Sequence, residues 1–241
     1  MELRDRNRVD GASFLRQHAK QALTRLGGVV PASALHWASR SLDVLQTSRW
    51  MKDHGYDTSY RMSSRLALFD LAAERLGNSK ILYLEFGVAS GVATRYWSQI
   101  LRGRDARLHG FDTFQGLPVQ WTRDMPRGYF DQGGQFPVID DDRVEFFKGL
   151  FCDTLPGYEP PDHEKLLVCL DADLYSSTAY VLNWLTDRSL IRPGTVLYFD
   201  EFNYATHELR AFDELCDTTG MKFKLLGVTF DLSGALFERA G

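Results

Sequence analysis

The stretch LYLEFGVASG, residues 82–91, decides the fold class of this chain. A mostly apolar run leads into Gly87, and a second glycine, Gly91, precedes a segment with helix-like spacing. A strand, a tight glycine turn and a helix in this order indicate the opening unit of a parallel sheet, because glycine lets the backbone approach a ligand closely and the helix N-terminus offers free N–H groups. The spacing Gly-x-x-x-Gly is not the dinucleotide-binding fingerprint, so a plain strand-to-helix turn is the alternative.

Outward from this stretch, short apolar runs alternate with helix-like segments. Near-continuous apolar strands between helices are typical of a parallel sheet covered on both faces, so we predict an α/β fold. The last residues, KFKLLGVTFDLSGALFERA, hold two strand-like runs around 231–233, which predicts a C-terminal antiparallel hairpin. The predicted strands are 80–86, 107–111, 143–147, 165–170 and 194–199, and the predicted helices are 91–102, 174–188 and 205–218.

Two further segments lack this alternation of short apolar runs and helix-like segments. Residues 1–78 show helical spacing and predict an N-terminal extension, a cap for substrate or for a dimer, ahead of a main domain at 79–241. Residues 113–140 lack any period and are rich in glycine and proline, yet they hold several aromatic side chains. A long aromatic loop inside a compact domain is typical of a lid rather than of disorder.

Composition limits the function classes. The net charge of −4 and the pI near 5.9 argue against a nucleic-acid or membrane-surface binder. No apolar run is long enough to span a bilayer, and no signal peptide is recognisable at the N-terminus. Cys152, Cys169 and Cys216 are odd in number and unclustered, which predicts neither disulfides nor zinc and favours a cytoplasmic location.

Acidic residues lie at the C-terminal ends of four of the predicted strands. Glu85 stands just before Gly87, where a carboxylate suits a cationic ligand and is awkward beside a pyrophosphate. Asp112 ends the next strand, where an acid commonly accepts hydrogen bonds from ribose hydroxyls, although a turn cap is the alternative. A glycine turn followed by an acid one strand later predicts a nucleoside-containing cofactor.

The remaining acids lie in LDADLYSST (170–178) and YFDEF (198–202). Parallel strands end at one edge of a sheet, so Asp171, Asp200 and Glu201 are predicted to converge beside the ligand crevice. Close carboxylates repel one another unless they are protonated or bridged by a cation, and hard oxygen ligands suit Mg²⁺. Asp173 is predicted to cap the helix that follows it.

These motifs, together with GFDTFQGLP (110–118) and KGLFCDTLP (148–156), resemble class I S-adenosylmethionine-dependent methyltransferases of the macrocin O-methyltransferase-like group. The resemblance covers about 79–220 and implies a Rossmann-like fold with a mostly parallel seven-stranded sheet. It implies methyl transfer to a hydroxyl of a sugar or polyketide-type acceptor, with S-adenosylmethionine and Mg²⁺ as cofactors. The apolar N-terminal helices are compatible with a homodimer. The cofactor residues that it implies are Glu85, Gly87, Ser90, Gly91, Asp112, Thr113, Leu150 and Cys152.

The resemblance also implies a metal set of Asp171, Asp200 and Glu201. Asp171 and Asp173 are the candidate catalytic residues. The sequence departs from relatives in three respects: Leu174 replaces a lysine of the catechol-type enzymes, Glu201 stands where the third metal ligand is often Asp or Asn, and the lid has no histidine to act as base. Asp173, Asp124 and Asp131 are the alternative bases. A nicotinamide-dependent oxidoreductase and a non-catalytic cofactor-binding protein are the two alternative functions.

Overall fold

The structure is a computed structural model that describes residues 11–241, with side chains from residue 16 onward. Predictions for residues 1–10, and for the side chains up to residue 15, lie outside the described residues. The helices are α1 Gly11–Gly27, α2 Ala32–Asp53, α3 Arg65–Leu76, α4 Val92–Ile100, α5 Phe151–Thr154, α6 Tyr175–Asp187 and α7 Glu208–Thr219. The strands are β1 Arg61–Met62, β2 Ile81–Phe86, β3 Arg107–Asp112, β4 Val144–Lys148, β5 Lys165–Leu170, β6 Val196–Phe199, β7 Phe223–Thr229 and β8 Ala235–Arg239.

The strands form one sheet in the order β1-β7-β8-β6-β5-β2-β3-β4. All neighbouring pairs are parallel except those of β8, which runs antiparallel to both β6 and β7. The predicted fold class and the C-terminal hairpin are therefore confirmed. The chain leaves β2 for β3 and β4 on one side and returns to β5 on the other. This reversal creates a switch point between β2 and β5, where open sheets of this kind bind ligands.

Alternating side chains of β2 explain why the sheet is covered on both faces. Leu82, Leu84 and Phe86 belong to one apolar cluster, which also contains residues of α6 and α7. Ile81 and Tyr83 belong to the other, which contains residues of α3 and α4. Because strand side chains alternate with a period of two, Glu85 is on the same face as Tyr83.

The N-terminal part differs from the expected arrangement. The chain divides into a compact unit that ends at Leu42 and a second unit, Asp43–Gly241, whereas the predicted boundary was 78/79. The reason is α3, whose apolar side chains lie in a core cluster beside β2. The side chain of Ser64 caps the start of α3, and Gly77, at φ 66°, ends it.

The described residues form eight strands instead of the predicted seven, because β1 adds to the edge at β7. At only two residues, β1 has no sequence period that could have predicted it. None of the described helices is both long and apolar enough to cross a bilayer.

Candidate functional site

A cavity of about 420 Å³ lies where β2, β3, β5 and β6 end, at the switch point of the sheet. Most residues singled out from the sequence line it. They are Glu85, Gly87, Ser90, Asp112, Thr113, Leu150, Asp171, Asp173, Asp200 and Glu201.

Two of the proposed cofactor residues are not among the lining residues. Gly91 begins α4 instead, and a Cβ added there would lie 2.7 Å from side-chain atoms of Pro137. Cys152 is exposed, and its neighbour Phe151 lines the cavity together with Gly149. The cavity wall that was assigned to 150–152 is therefore formed by 149–151.

Glu85 is a buried carboxylate at the cavity wall, with 1% of its surface exposed. Thr94, on α4, donates its hydroxyl to Glu85 Oε2 at 2.5 Å. Burial raises the pKa of Glu85 to about 7, against the opposing effect of the Thr94 hydrogen bond. A buried acid of this kind is stabilised in its ionised form by a cation, so the wall offers a site for positive charge.

Asp112 ties the end of β3 to the glycine turn after β2. Its Oδ2 accepts the backbone N–H groups of Val88 at 2.7 Å and Ala89 at 2.8 Å. Its Oδ1 accepts the N–H of Phe114 at 2.7 Å. The turn-cap alternative therefore describes the geometry observed. Oδ2 already accepts two hydrogen bonds, whereas Oδ1 accepts one and keeps a second lone pair as a further acceptor position.

The carboxylates of Asp171 and Asp200 both lie close to one guanidinium nitrogen. Arg65 Nη1, at the start of α3, lies 3.2 Å from Asp200 Oδ2 and 3.7 Å from Asp171 Oδ2. Burial and the charges of Asp200, Asp173 and Glu208 raise the pKa of Asp171 well above its usual value. The predicted convergence of these two acids at one edge is confirmed, but with a cation of the protein's own between them. No sequence signal pointed to Arg65, which precedes Asp171 by more than a hundred residues.

Among the described residues, no group of three His, Cys, Asp or Glu side chains is arranged to hold a metal ion. The oxygen chemistry of Asp171, Asp200 and Glu201 nevertheless fits Mg²⁺, and Arg65 shows that one positive centre can face two of these carboxylates. The metal set stays a prediction.

The prediction that Asp173 caps α6 is wrong. The N-cap of α6 is Leu174, and no side chain caps that helix start. Asp173 instead has φ 59°, a conformation that Asp tolerates better than most residues, and it lines the cavity with 7% of its surface exposed. Burial, with the charges of Asp200 and Asp112, raises the pKa of Asp173 to about 7.

The other two alternative bases are placed differently. Asp124 and Asp131 are exposed residues of the lid segment, and neither lines the cavity. Asp131 Oδ1 accepts the N–H of Gly133 and so supports a turn. Of the three carboxylates, Asp173 alone is at the cavity wall.

Glu208 is a further buried acid near the cavity residues. Sequence reasoning did not identify it. It is the first residue of α7, with no exposed surface, and its Oε2 accepts the backbone N–H of Glu201 at 2.9 Å. Its Oε1 has no hydrogen-bond partner, and burial raises the pKa of Glu208 well above its usual value. Glu208 therefore fixes the backbone that carries Glu201. The available signal was an acid in the first turn of a predicted helix, where the helix dipole favours it.

The segment 113–140 forms the outer wall of the cavity. It contains no helix or strand, as expected. Backbone hydrogen bonds across the segment hold it in place, such as those that the N–H groups of Gln132 and Gly134 donate to the Phe114 carbonyl. Trp121 packs against Tyr204, with ring centroids 4.8 Å apart, beyond the end of β6. The lining residues of this segment are Thr113, Gly116, Leu117, Pro118, Trp121, Met125 and Phe130.

Comparison with known proteins identifies a family whose sequence model matches part of the chain. Residues 134–239 match the sequence model of the family described as Macrocin-O-methyltransferase (TylF). A protein of Streptomyces olivaceus, described as 8-demethyl-8-(2,3-dimethoxy-alpha-L-rhamnosyl)-tetracenomycin-C 4'-O-methyltransferase, is 33% identical over 99 residues. These residues are 41% of this chain, and the match spans 33% of the relative.

Solved structures support the fold. The O-methyltransferase NovP is similar with a TM-score of 0.58 and 24% identity, over 73% of this chain and 80% of that one. The calicheamicin methyltransferase CalS11 is similar with a TM-score of 0.56 and 21% identity, over 72% of this chain and 78% of that one. Over residues 134–239 this chain thus matches the sequence model of the macrocin O-methyltransferase family, and its fold is similar to that of solved O-methyltransferases, in agreement with the resemblance found in its motifs.

Proposed function

We propose that this protein is an S-adenosylmethionine-dependent O-methyltransferase that acts on a hydroxyl of a sugar or polyketide-type acceptor. The observation that carries the proposal is the convergence of a buried acid, a glycine turn and an acid cluster on one cavity at the switch point. The acceptor class is supported by the relative whose name describes a rhamnosylated tetracenomycin. The test is to incubate the protein with S-adenosylmethionine and a panel of glycosylated polyketides. A product heavier by one CH₂ unit, methylated on oxygen, is expected; no methylated product from any acceptor would count against the proposal.

The cofactor half of the cavity is built from β2 and β3. S-adenosylmethionine supplies a methyl group on a positively charged sulfur, and it also carries an amino group and a ribose. Glu85 would balance that positive charge, while Asp112 would accept a ribose hydroxyl with the remaining lone pair of Oδ1. The apolar wall at 149–151 would border the adenine. A pyrophosphate would meet the buried Glu85 unfavourably, which disfavours the nicotinamide alternative.

The acceptor half is built from β5, β6 and the lid. Holding the hydroxyl oxygen about 3 Å from the methyl carbon, in line with its bond to sulfur, supplies much of the acceleration. Asp173, at the cavity wall, would take the proton that the hydroxyl loses as its oxygen bonds to the methyl carbon. Trp121 and Met125 would cover the acceptor and exclude water.

Magnesium dependence forms part of the proposal. Asp171, Asp200 and Glu201 would hold the ion, and Glu208 positions the Glu201 backbone for that purpose. A bound Mg²⁺ would lower the pKa of a coordinated hydroxyl. The helices before residue 43 expose apolar side chains, among them Leu26 and Trp37, and their role as a substrate cap or dimer contact stays a prediction.

We expect Asp112→Ala to weaken S-adenosylmethionine binding roughly ten- to a hundredfold, because charge-assisted hydrogen bonds are lost. The variant also releases the N–H groups of Val88 and Ala89. Calorimetric titration measures the loss. Asp141→Ala is the matched control, since Asp141 also caps a backbone N–H and pairs with Arg143 but lies outside the cavity. Equal affinity of Asp112→Ala and wild type would remove Asp112 from the cofactor site.

The lid should close over bound ligands. We expect the amides of 113–140 to exchange hydrogen quickly in the free protein and more slowly with S-adenosylhomocysteine and acceptor present. The amides of β5, which lie in the sheet, serve as the internal reference. Identical exchange of 113–140 in both states would show a fixed loop.

Asp171 and Asp173 should differ in role. Asp171→Asn should abolish the response of methyl transfer to Mg²⁺, because a metal ligand is lost. Asp173→Asn, which tolerates positive φ, should lower methyl transfer by roughly 10²–10⁴-fold yet keep the Mg²⁺ response and the affinity for S-adenosylhomocysteine. Rates titrated with Mg²⁺ and with chelator distinguish them, and the reverse pattern would mean that the two assignments are exchanged.

A further inference from the structure

Arg65 is placed between two carboxylates that come from different strands. It is the first residue of α3, and its Nη1 donates to Asp200 Oδ2 at 3.2 Å while lying 3.7 Å from Asp171 Oδ2. An arginine side chain keeps its proton in proteins, and here it faces two carboxylates. Its guanidinium is thus a permanent cation at the position where the proposed magnesium set begins.

Arg65 is held only weakly by these two carboxylates. One nitrogen faces both acids, and its side chain is 35% exposed. Arg75, on the same helix, shows the contrasting case: it makes two hydrogen bonds to Glu238, at 2.9 and 2.8 Å. Two parallel bonds to one carboxylate are the stronger arrangement, so Arg65 is held less tightly than Arg75.

We propose that Arg65 is a built-in competitor for the metal: its guanidinium occupies the cation position between Asp171 and Asp200, and a divalent ion binds there only when Arg65 is displaced. The proposal rests on the magnesium set proposed above. Before the ion arrives, Arg65 relieves the repulsion between the two carboxylates. When the ion arrives, the start of α3 loses a contact with the two carboxylates.

The test uses Mn²⁺ as a probe and the full-length protein without cofactor. Free Mn²⁺ is followed by electron paramagnetic resonance, which reads binding without any assay of activity. Arg65→Gln should bind Mn²⁺ roughly tenfold or more tightly than wild type, because the ion no longer has to displace a guanidinium from Asp171 and Asp200. Arg75→Gln is the matched control and should leave Mn²⁺ affinity unchanged. Combining Arg65→Gln with Asp171→Asn should remove the gain.

Arg65→Met, which keeps the side-chain length and suits a helix, gives an independent second variant. Circular dichroism verifies that each variant is folded. Unchanged or weaker Mn²⁺ binding in a folded Arg65→Gln or Arg65→Met protein would overturn the competition. The absence of Mn²⁺ binding in wild type and in both variants would overturn it together with the magnesium set. Methyl transfer and S-adenosylhomocysteine binding that persist in that case would leave the methyltransferase function standing.

Discussion

Gly87→Ala is expected to destabilise the protein by roughly 3–5 kcal/mol, through backbone strain added to an overlap that the sheet cannot absorb. Gly87 has φ 95°, and a Cβ at this position would lie 1.8 Å from the backbone oxygen of Asp171. Position 87 requires a glycine because the chain segments that follow β2 and β5 are in direct contact at the switch point. Separating them would also move Asp171 away from the cavity.

Urea denaturation of the folded variant measures this loss. Gly220→Ala is the matched control, because Gly220 is in the left-handed region at φ 67° and has nothing within 4 Å of an added Cβ. It should cost only the conformational strain, about 1 kcal/mol. Equal losses for the two variants would show that the close approach to Asp171 contributes nothing.

Glu85→Gln should stabilise the cofactor-free protein at pH 8 and weaken cofactor binding at the same time. The pKa of Glu85 is about 7 in the folded protein, against an ordinary value of 4.5. The folded state therefore holds this proton more tightly than the unfolded state, and stability is lost as pH rises from 4.5 through 7. The full loss is roughly 3 kcal/mol above that window, and glutamine, which does not ionise, avoids it.

Denaturation of both proteins at pH 4 and pH 8 tests this. Wild type and Glu85→Gln should have similar stability at pH 4, where both side chains are neutral, and the variant should be more stable at pH 8. Calorimetry at pH 8 should show weaker S-adenosylmethionine binding by the variant, because its positive charge has lost a buried counter-charge. A variant that is less stable at both pH values would mean that burial does not penalise the carboxylate.

Much of the sheet could be predicted because its strands carry a local signal. The residues of β2 are all buried, and in the sequence they form an apolar run that is interrupted only by Glu85. Strand ends then fix where Asp112, Asp171 and Asp200 emerge, so cavity residues followed from topology without any contact being known.

What the sequence did not predict depends on contacts between distant residues or on backbone angles. Arg65 reaches Asp171 and Asp200 only because α3 packs on the sheet, and no local pattern marks it. Asp173 had the residue type and the spacing of a helix cap, but its positive φ sends the chain through a turn before α6 begins. Neither feature is encoded in hydrophobic periodicity.

Isothermal titration calorimetry with S-adenosylhomocysteine tests the central claim most directly, because it asks whether this cavity binds the cofactor of a methyltransferase irrespective of the acceptor. We predict one site per chain in wild type, with the affinity strongly reduced in Asp112→Ala and unchanged in Asp141→Ala. NAD⁺ should give no binding under the same conditions. Binding of NAD⁺ in preference to S-adenosylhomocysteine, or no binding of either by the folded protein, would contradict the account.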